Sequence, residues 1–478
     1  MNGEPQPSTY RPDTQIARIA DWIADPVRAA DFPDTKLRFR NDRWDGAVGL
    51  DSVSDEDWLR HFGRFEPLPD NLRKPLALRY HGHQFRNYNP DIGDGRGFLF
   101  AQLRDGADRL LDLGTKGSGQ TPYSRFGDGR LTLKGAVREV LATEMLEALG
   151  VHTSKTFSVI ETGEALDRND EPSPTRSAVM VRLSHGHIRI GSFQRLAALG
   201  EEDHLAALVD YALRNYPGPP PPDNAPGRDL PPAQLLHLVV ERLADLAASY
   251  VAAGFVHGVL NTDNMNVSGE SFDYGPWRWL PRWDAGFTAA YFDHSGLYAF
   301  GRQAEAIHWN CAQLAIALRP ICEAPPLVAA LERFQELFTH HLARRFAWRL
   351  GVADAGAEQA TELVTTGESA MVATGMQPDA FFHAARTGRL AKGEDTAAFR
   401  AALGESHPQG DGHPYWHDEE PQSMLIEEVE AIWSHIDHDD DWGPLYDKVA
   451  ALRRMGDAHG PAPVQAGQAK VSIATGVA

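Results

Sequence analysis

A chain of 478 residues with 66 acidic and 46 basic side chains, a formal charge of −20, is long enough for a large core arranged as two lobes with a helical extension. That acidity excludes a nucleic-acid surface or an anionic membrane as the main partner, and two cysteines, Cys311 and Cys322, exclude a disulfide framework and read as buried, reduced thiols. The amino terminus has neither a basic start nor an apolar segment, and no stretch reaches membrane-spanning length, so a cytoplasmic protein is expected.

Residues 1–75 read as an N-terminal cap of mixed character, pinned to the body by Trp22, Trp44 and Trp58. Over 76–195 the chain alternates strand patterns with a single helix. Gly93-Asp94-Gly95-Arg96-Gly97 is a glycine-rich turn leading into a strand-like run at 98–103, and a second run at 110–113 leads to Lys116. Helical spacing of Val137, Leu141, Met145 and Leu149, stopped by Gly150, predicts a helix over 134–149 with Glu139 in its second turn, within reach of Lys116. His81 and His83, just before the glycine turn, read as structural.

A helix over 203–216 precedes a proline-rich loop at 217–229, whose run Pro219–Pro222 reads as a stiff spacer in preference to a polyproline docking segment. An apolar helix over 233–253 ends at Gly254. Trp277, Trp279, Trp283 and Phe287 pack the loop that follows, and helices are expected over 302–319, 326–350 and 355–373. Two stretches rich in His and Asp, 407–420 and 435–441, lack the fixed spacing of a zinc site and read as structural or solvated. The tail from 456 reads as disordered and holds no cysteine. The expected division is a cap (1–75), an N-lobe (76–195), a C-lobe (196–325), a helical extension (326–455) and the tail (456–478).

Chemistry is concentrated in His257-Gly258-Val259-Leu260-Asn261-Thr262-Asp263-Asn264 and Asp273-Tyr274-Gly275. A protein-kinase catalytic loop reads H-R-D-L-x-x-x-N and its metal triplet D-F-G. Aligned on His257 and Asn264, the catalytic aspartate is replaced by Val259, which cannot accept a proton. Asn264 and Asp273 keep the two positions that hold Mg²⁺ on a nucleotide. Asp263 is the candidate for a displaced base. Taken singly, each part has an ordinary reading: a tight turn, a solvated lysine, a helix-face acid, a hairpin dipeptide at Asp128-Gly129, surface arginines at 182 and 189. Their order, however, is that of a kinase: glycine turn, lysine, helix glutamate, catalytic loop, metal aspartate.

These motifs, together with Lys116-Gly117-Ser118-Gly119-Gln120-Thr121-Pro122-Tyr123-Ser124-Arg125-Phe126-Gly127-Asp128-Gly129-Arg130, Arg138-Glu139 and a weaker echo at Gly301-Arg302-Gln303 and Trp309-Asn310, resemble the selenoprotein O family of kinase-like protein adenylyltransferases. The resemblance runs from about Tyr80 to about Arg319. It implies an α+β, protein-kinase-like two-lobed fold with a largely α-helical C-terminal region. It also implies ATP bound in flipped orientation, and AMP passed to Ser, Thr or Tyr hydroxyls of proteins.

By the same resemblance, Lys116 would grip the phosphates and Glu139 orient it. Gly93, Gly95, Arg96, Asp128 and Gly129 would line the nucleotide, and Arg182 and Arg189 would clamp the outer phosphates. Asn264 and Asp273 would hold Mg²⁺, with Mn²⁺ as the alternative ion, Asp273 also facing the nucleotide, and Asp263 would be the base. The chain departs from the family in lacking a C-terminal cysteine, which argues against redox control through a C-terminal thiol, and in Ala304 where proline is expected. Transfer of UMP from UTP, ordinary phosphoryl transfer and a non-catalytic nucleotide-binding scaffold stay open. A monomer is expected.

Overall fold

Apolar runs in the first half of the chain become an antiparallel sheet because aromatic side chains from elsewhere in the chain cover its strands. The computed structural model describes residues 9–463 apart from Asp170, Ala353 and 405–411, and contacts divide it into two units. The first unit holds the described residues up to Val140 together with Ser154–Gly218, and the second Leu141–Thr153 together with the chain from Pro219. The fold is α+β, as the motifs implied.

In the first unit the strands are β1 (Ala24–Pro26), β2 (Lys36–Arg40), β3 (Leu76–Leu78), β4 (Gly82–Gln84), β5 (Asn87–Asn89), β6 (Leu99–Arg104), β7 (Leu110–Lys116), β8 (Leu131–Thr132), β9 (Lys155–Leu166) and β10 (Thr175–Ser184). The main sheet runs β1-β3-β6-β7-β10-β9-β2, with β8 paired to β10; β4 and β5 form a separate hairpin. Single-turn helices α1 (Ala20–Ile23), α2 (Asp42–Asp45) and α3 (Asp55–Trp58) precede the long α4 (Leu133–Ala148), and α5 (Ile190–Ala198) and α6 (Glu202–Asn215) close the unit.

The first 75 residues do not stand outside this sheet, since β1 and β2 are its two ends. Trp58 is wholly buried with its ring 5.0 Å from Phe157 and 4.7 Å from Phe62, in one apolar cluster with Phe98, Phe100, Leu113 and Val181. Trp44 is buried too, whereas Trp22 stays half-exposed and stacks on His204 at 4.7 Å. One backbone approach demands glycine: a Cβ on Gly97 would stand 1.9 Å from the Thr115 carbonyl oxygen of β7.

In the second unit α7 (Pro231–Ala253) starts on proline and stops at Gly254, whose φ of 63° closes the helix in the left-handed region. Nearly every residue of α7 is buried, so it reads as a core helix with no polar face. A two-stranded ribbon of β11 (Phe255–Val256) and β12 (Arg278–Trp279) follows, then α8 (Gln303–Leu318), α9 (Ala324–Glu332), α10 (Phe334–Arg349), α11 (Ala357–Thr374), α12 (Pro378–Arg386), α13 (Glu394–Leu403), α14 (Ile426–Asp439) and α15 (Gly443–His459). The single helix expected over 326–350 is divided at Arg333, whose guanidinium turns to Glu241 and His237 of α7.

Arg345 of α10 makes paired bonds of 2.6 and 2.8 Å to Asp245 of α7, a buried pair that fixes the register of the two helices. The tail read as disordered is helical to His459, and from 464 it lies outside the described residues, as do 407–411 of the first histidine-rich stretch. Within that stretch, His413 caps a short 3-10 turn and Asp418 pairs with Arg454 at 2.7 Å. Cys311 and Cys322 are buried free thiols. No helix among the described residues is long and apolar enough to cross a membrane.

His237 lies 3 % exposed on α7, and the Arg333 guanidinium donates to its Nδ1 across 3.3 Å, a bond that requires the neutral ring. Burial, reinforced by Arg333, pushes its pKa down to about 4 from 6.5. A depressed histidine contributes stability above its unfolded pKa and loses it as pH falls toward the folded one. The expected outcome is a melting temperature that falls between pH 6.5 and 4, with a shallower slope in His237→Gln, read by thermal unfolding across that window.

Candidate active site

Basic side chains in the first unit are gathered by strand ends and helix starts. Lys116, the last residue of β7, pairs with Glu139 of α4, and Arg182 of β10 reaches the other oxygen of the same carboxylate at 3.2 Å. Lys116 and Met180 are register partners across β7 and β10, which places Arg182 on the strand beside the lysine. All three are at most 6 % exposed. Two cations thus converge on one acid in the interior. Such an arrangement is costly unless well bonded, and convergent positive charge is what a polyphosphate needs.

Arg189 is not the surface residue of its ordinary reading. It is the N-cap residue of α5, 5 % exposed, bonded at 3.0 Å to Asp94 and lying over the Tyr80 ring at 4.5 Å. The other Asp94 oxygen accepts from the Leu78 amide at 3.0 Å, so the acid in the glycine turn holds both the neighbouring strand and the arginine.

Gly93, Gly95 and Arg96 belong to a turn that leans on the loop after Lys116. A Cβ on Gly93 would stand 2.5 Å from the Tyr123 ring, and the Asp94 and Gly95 carbonyls accept from the Thr121 and Ser124 hydroxyls. Tyr123 in turn donates to Asp25, whose carboxyl is held below its usual range chiefly by Arg79. Arg96 is exposed, its carbonyl accepting from Gly117 at 2.7 Å. Gly129, with φ of 72°, closes the loop: its carbonyl accepts from Gly119 at 3.1 Å, and any Cβ there would collide with the Gly119 backbone at 2.2 Å. Asp128 is exposed and salt-bridged to Arg168 at 2.9 Å. Burial opposes its ionisation, but the Arg130 amide and Arg168 outweigh that and hold its carboxyl low.

In the second unit the loop after β11 is fastened by its own polar groups. The His257 Nε2 donates to the Phe272 carbonyl at 3.2 Å, tying the loop to the residue before Asp273, while its Nδ1 accepts from Val259. Tyr274 is buried against Phe255 and His257 and shares a hydroxyl bond with Thr153. Asp263 lies 8 % exposed on the 3-10 turn Thr262–Asn264. Asp273, partly buried, takes φ of 63°, a left-handed conformation rare outside glycine.

Asn264 donates through Nδ2 to the Val259 carbonyl at 3.0 Å, which leaves Oδ1 as the atom able to bind a cation. No three His, Cys, Asp or Glu side chains converge as a metal cluster among the described residues. One amide oxygen and one carboxylate nevertheless suit Mg²⁺, which takes few protein ligands and completes its shell from water and substrate phosphates.

Sequence reasoning missed what pins this loop. Gln303, from the weak motif Gly301-Arg302-Gln303, accepts from the His257 amide at 3.0 Å and donates to the Phe255 carbonyl at 2.8 Å. Asn310 donates to the Leu260 carbonyl at 2.8 Å, and the Tyr298 hydroxyl to Asn261 at 2.7 Å. The signal was present, since an amide on an otherwise apolar helix face needs a buried partner. Gly258, where a kinase loop has arginine, has φ of 84°, and a Cβ there would meet Ala289 and Pro276 at 3.0 Å.

A buried Lys–Glu pair, a histidine-anchored catalytic loop and a following aspartate define a nucleotide-handling transferase built from kinase parts. The family model described as protein adenylyltransferase SelO matches residues 8–406, and the chain belongs to that family. A protein nucleotidyltransferase YdiU from Synechocystis is 47% identical over 347 residues, 72% of this chain and 71% of that protein. Proteins of the same name from Gloeobacter violaceus and Synechococcus elongatus are each 42% identical, covering 92% of this chain and 94% of their own. The chain is a nucleotidyltransferase of the protein adenylyltransferase class, with ATP as substrate and proteins as acceptors.

Gln303→Leu strands two buried backbone groups at a cost of about 1–3 kcal/mol each. A loss of roughly 2–4 kcal/mol in denaturant unfolding, with weakened transfer activity, is the expected outcome.

Proposed function

We propose that this chain transfers AMP from Mg²⁺-bound ATP to Ser, Thr or Tyr hydroxyls of proteins, with the nucleotide reversed relative to a kinase. The observation that carries the reading is the buried cluster in which Lys116 and Arg182 share Glu139. A second cation beside the kinase lysine suits a triphosphate whose outer phosphates lie deep and whose α-phosphate is left to react. Val259 at the kinase base position, with Asp263 four residues on, supports a base moved along the loop.

In this mechanism Asp263 accepts the proton of the acceptor hydroxyl as its oxygen attacks the α-phosphorus. The bond from that phosphorus to the bridging oxygen breaks, and pyrophosphate leaves with the electron pair. Lys116, Arg182 and Arg189 hold the departing phosphates, with Glu139 and Asp94 fixing their directions. Asn264 and Asp273 would hold Mg²⁺, which when bound neutralises phosphate charge; Mn²⁺ has the same ligand preference. Gly93, Gly95, Arg96, Asp128 and Gly129 would line the nucleotide. The reduced thiols Cys311 and Cys322 support action in the cytoplasm. UTP as donor is the second reading, supported by the relatives' name, nucleotidyltransferase, which leaves the base unspecified.

ATP and UTP labelled on the α- or γ-phosphate decide among these readings. Label from α-ATP alone is expected. Asp273→Ala is expected to abolish it, and Asp263→Ala to slow it about 10²–10⁴-fold with nucleotide affinity largely kept. Label from γ-ATP would make the chain a kinase, and label from α-UTP alone would replace the donor. Binding without transfer would make it a scaffold.

A further inference from the structure

Two neighbouring aromatic rings stand out in water on the stretch between Asp273 and α8. Tyr291 is 84% exposed and Phe292 42%, their rings edge to face with centroids 5.1 Å apart. Single exposed apolar residues are ordinary, but a preset aromatic pair is the composition of a binding surface.

The stretch has little regular structure yet is firmly held. Asp293, 5 % exposed, accepts from the Leu297 and Tyr298 amides at 2.9 and 2.8 Å, forming a turn directly after the pair. Phe300 donates to the Phe287 carbonyl and Gly301 to the Ala285 carbonyl, both at 2.9 Å. The rings therefore sit on a closed loop, and little conformational entropy remains to be lost when they bind.

Both arms of that loop are fastened to the catalytic loop. Before the pair, Ala289 and Ala290 press on Gly258 so closely that a Cβ there would meet the Ala289 side chain at 3.0 Å and the Ala290 amide at 3.4 Å. After it, the Tyr298 hydroxyl reaches Asn261, two residues from Asp263. The aromatic pair is thus carried by the segment that shares its position with the base.

We propose that Tyr291 and Phe292 dock the acceptor segment of the protein substrate, an extended stretch with an apolar side chain within two residues of the hydroxyl. This rests on the reading of Asp263 as base. Acceptors are proteins, and a base that must meet many hydroxyls needs a neighbouring surface to present them. Tyrosine supplies broad contact area at low entropic cost, which suits recognition of varied segments by one apolar anchor.

The test is an oriented library of short peptides with a central Ser, Thr or Tyr, Mg²⁺ and α-labelled ATP. Wild-type protein is expected to prefer Leu, Met or Phe beside the acceptor over Gly or Asp by about tenfold. The double variant Tyr291→Ala/Phe292→Ala is expected to lose that preference through KM, with kcat and ATP affinity kept, and Tyr291→Phe to retain it. Tyr291 is 84% exposed, so Tyr291→Ala alone should weaken the preference without moving the melting temperature. Indifference of the wild type to flanking residues, an unchanged preference in the double variant, or label on the protein itself but on no peptide would each overturn the proposal. So would a sizing profile in which the pair joins two copies of the chain. Absence of α-label from peptide and protein alike would instead defeat the adenylyl-transfer reading beneath it.

Discussion

Glu139 is the constraint from which the first unit is organised. It lies 2 % exposed on α4, and the lysine of β7 and the arginine of β10 both close on its carboxylate. Remove the acid and two cations remain in the interior, a loss of about 3–5 kcal/mol for a broken buried pair. The interaction therefore sets the register of α4 against adjacent strands before any nucleotide arrives. The same helix carries Glu144, five residues on, held by paired bonds of 3.0 and 2.9 Å from Arg453 of α15. Within the first unit, the direction of the Lys116 ammonium follows from the buried carboxylate that it shares with Arg182.

Glycine density in the motifs has a packing cause distinct from contact with phosphate. Gly93 faces the Tyr123 ring, Gly97 the Thr115 carbonyl, and Gly129 the Gly119 backbone. Each marks a place where two loops meet too closely for a methyl group. The glycine turn and the loop after Lys116 are one interlocked body, bonded through Thr121 and Ser124, and tied by Tyr123 to Asp25 beside Arg79. Arg96 and Asp128 lie exposed on that body, free of the packing that its glycines secure.

Local patterns carried much of this. The 3.6 spacing of Val137, Leu141 and Met145 marked α4, and the position of Glu139 in it foretold its lysine partner. The α+β class and the family followed from motif order. What escaped was non-local. The expected cap supplies both end strands of the sheet, and β2 pairs with β9, more than a hundred residues away, for which no local pattern exists. Arg189 sits in an apolar alternation that reads as strand, yet the chain turns there into α5. Gln303 and Asn310 looked like a faint motif because their partners, the His257 amide and the Leu260 carbonyl, are 46 and 50 residues distant.

Gly258 has a regulatory meaning. In many kinases the arginine of the catalytic loop receives a phosphate added to the segment after the metal aspartate, and that ion pair brings the segment to order. Here the position carries no charge, and the space an arginine would fill is taken by Ala289, Ala290 and Pro276. The segment is ordered instead by apolar contact and by the Asp293 turn, in which the Leu297 and Tyr298 amides close on one buried carboxylate. The part that a catalytic-loop arginine plays in such a gate is therefore missing at this position, and apolar packing stands where the ion pair would be.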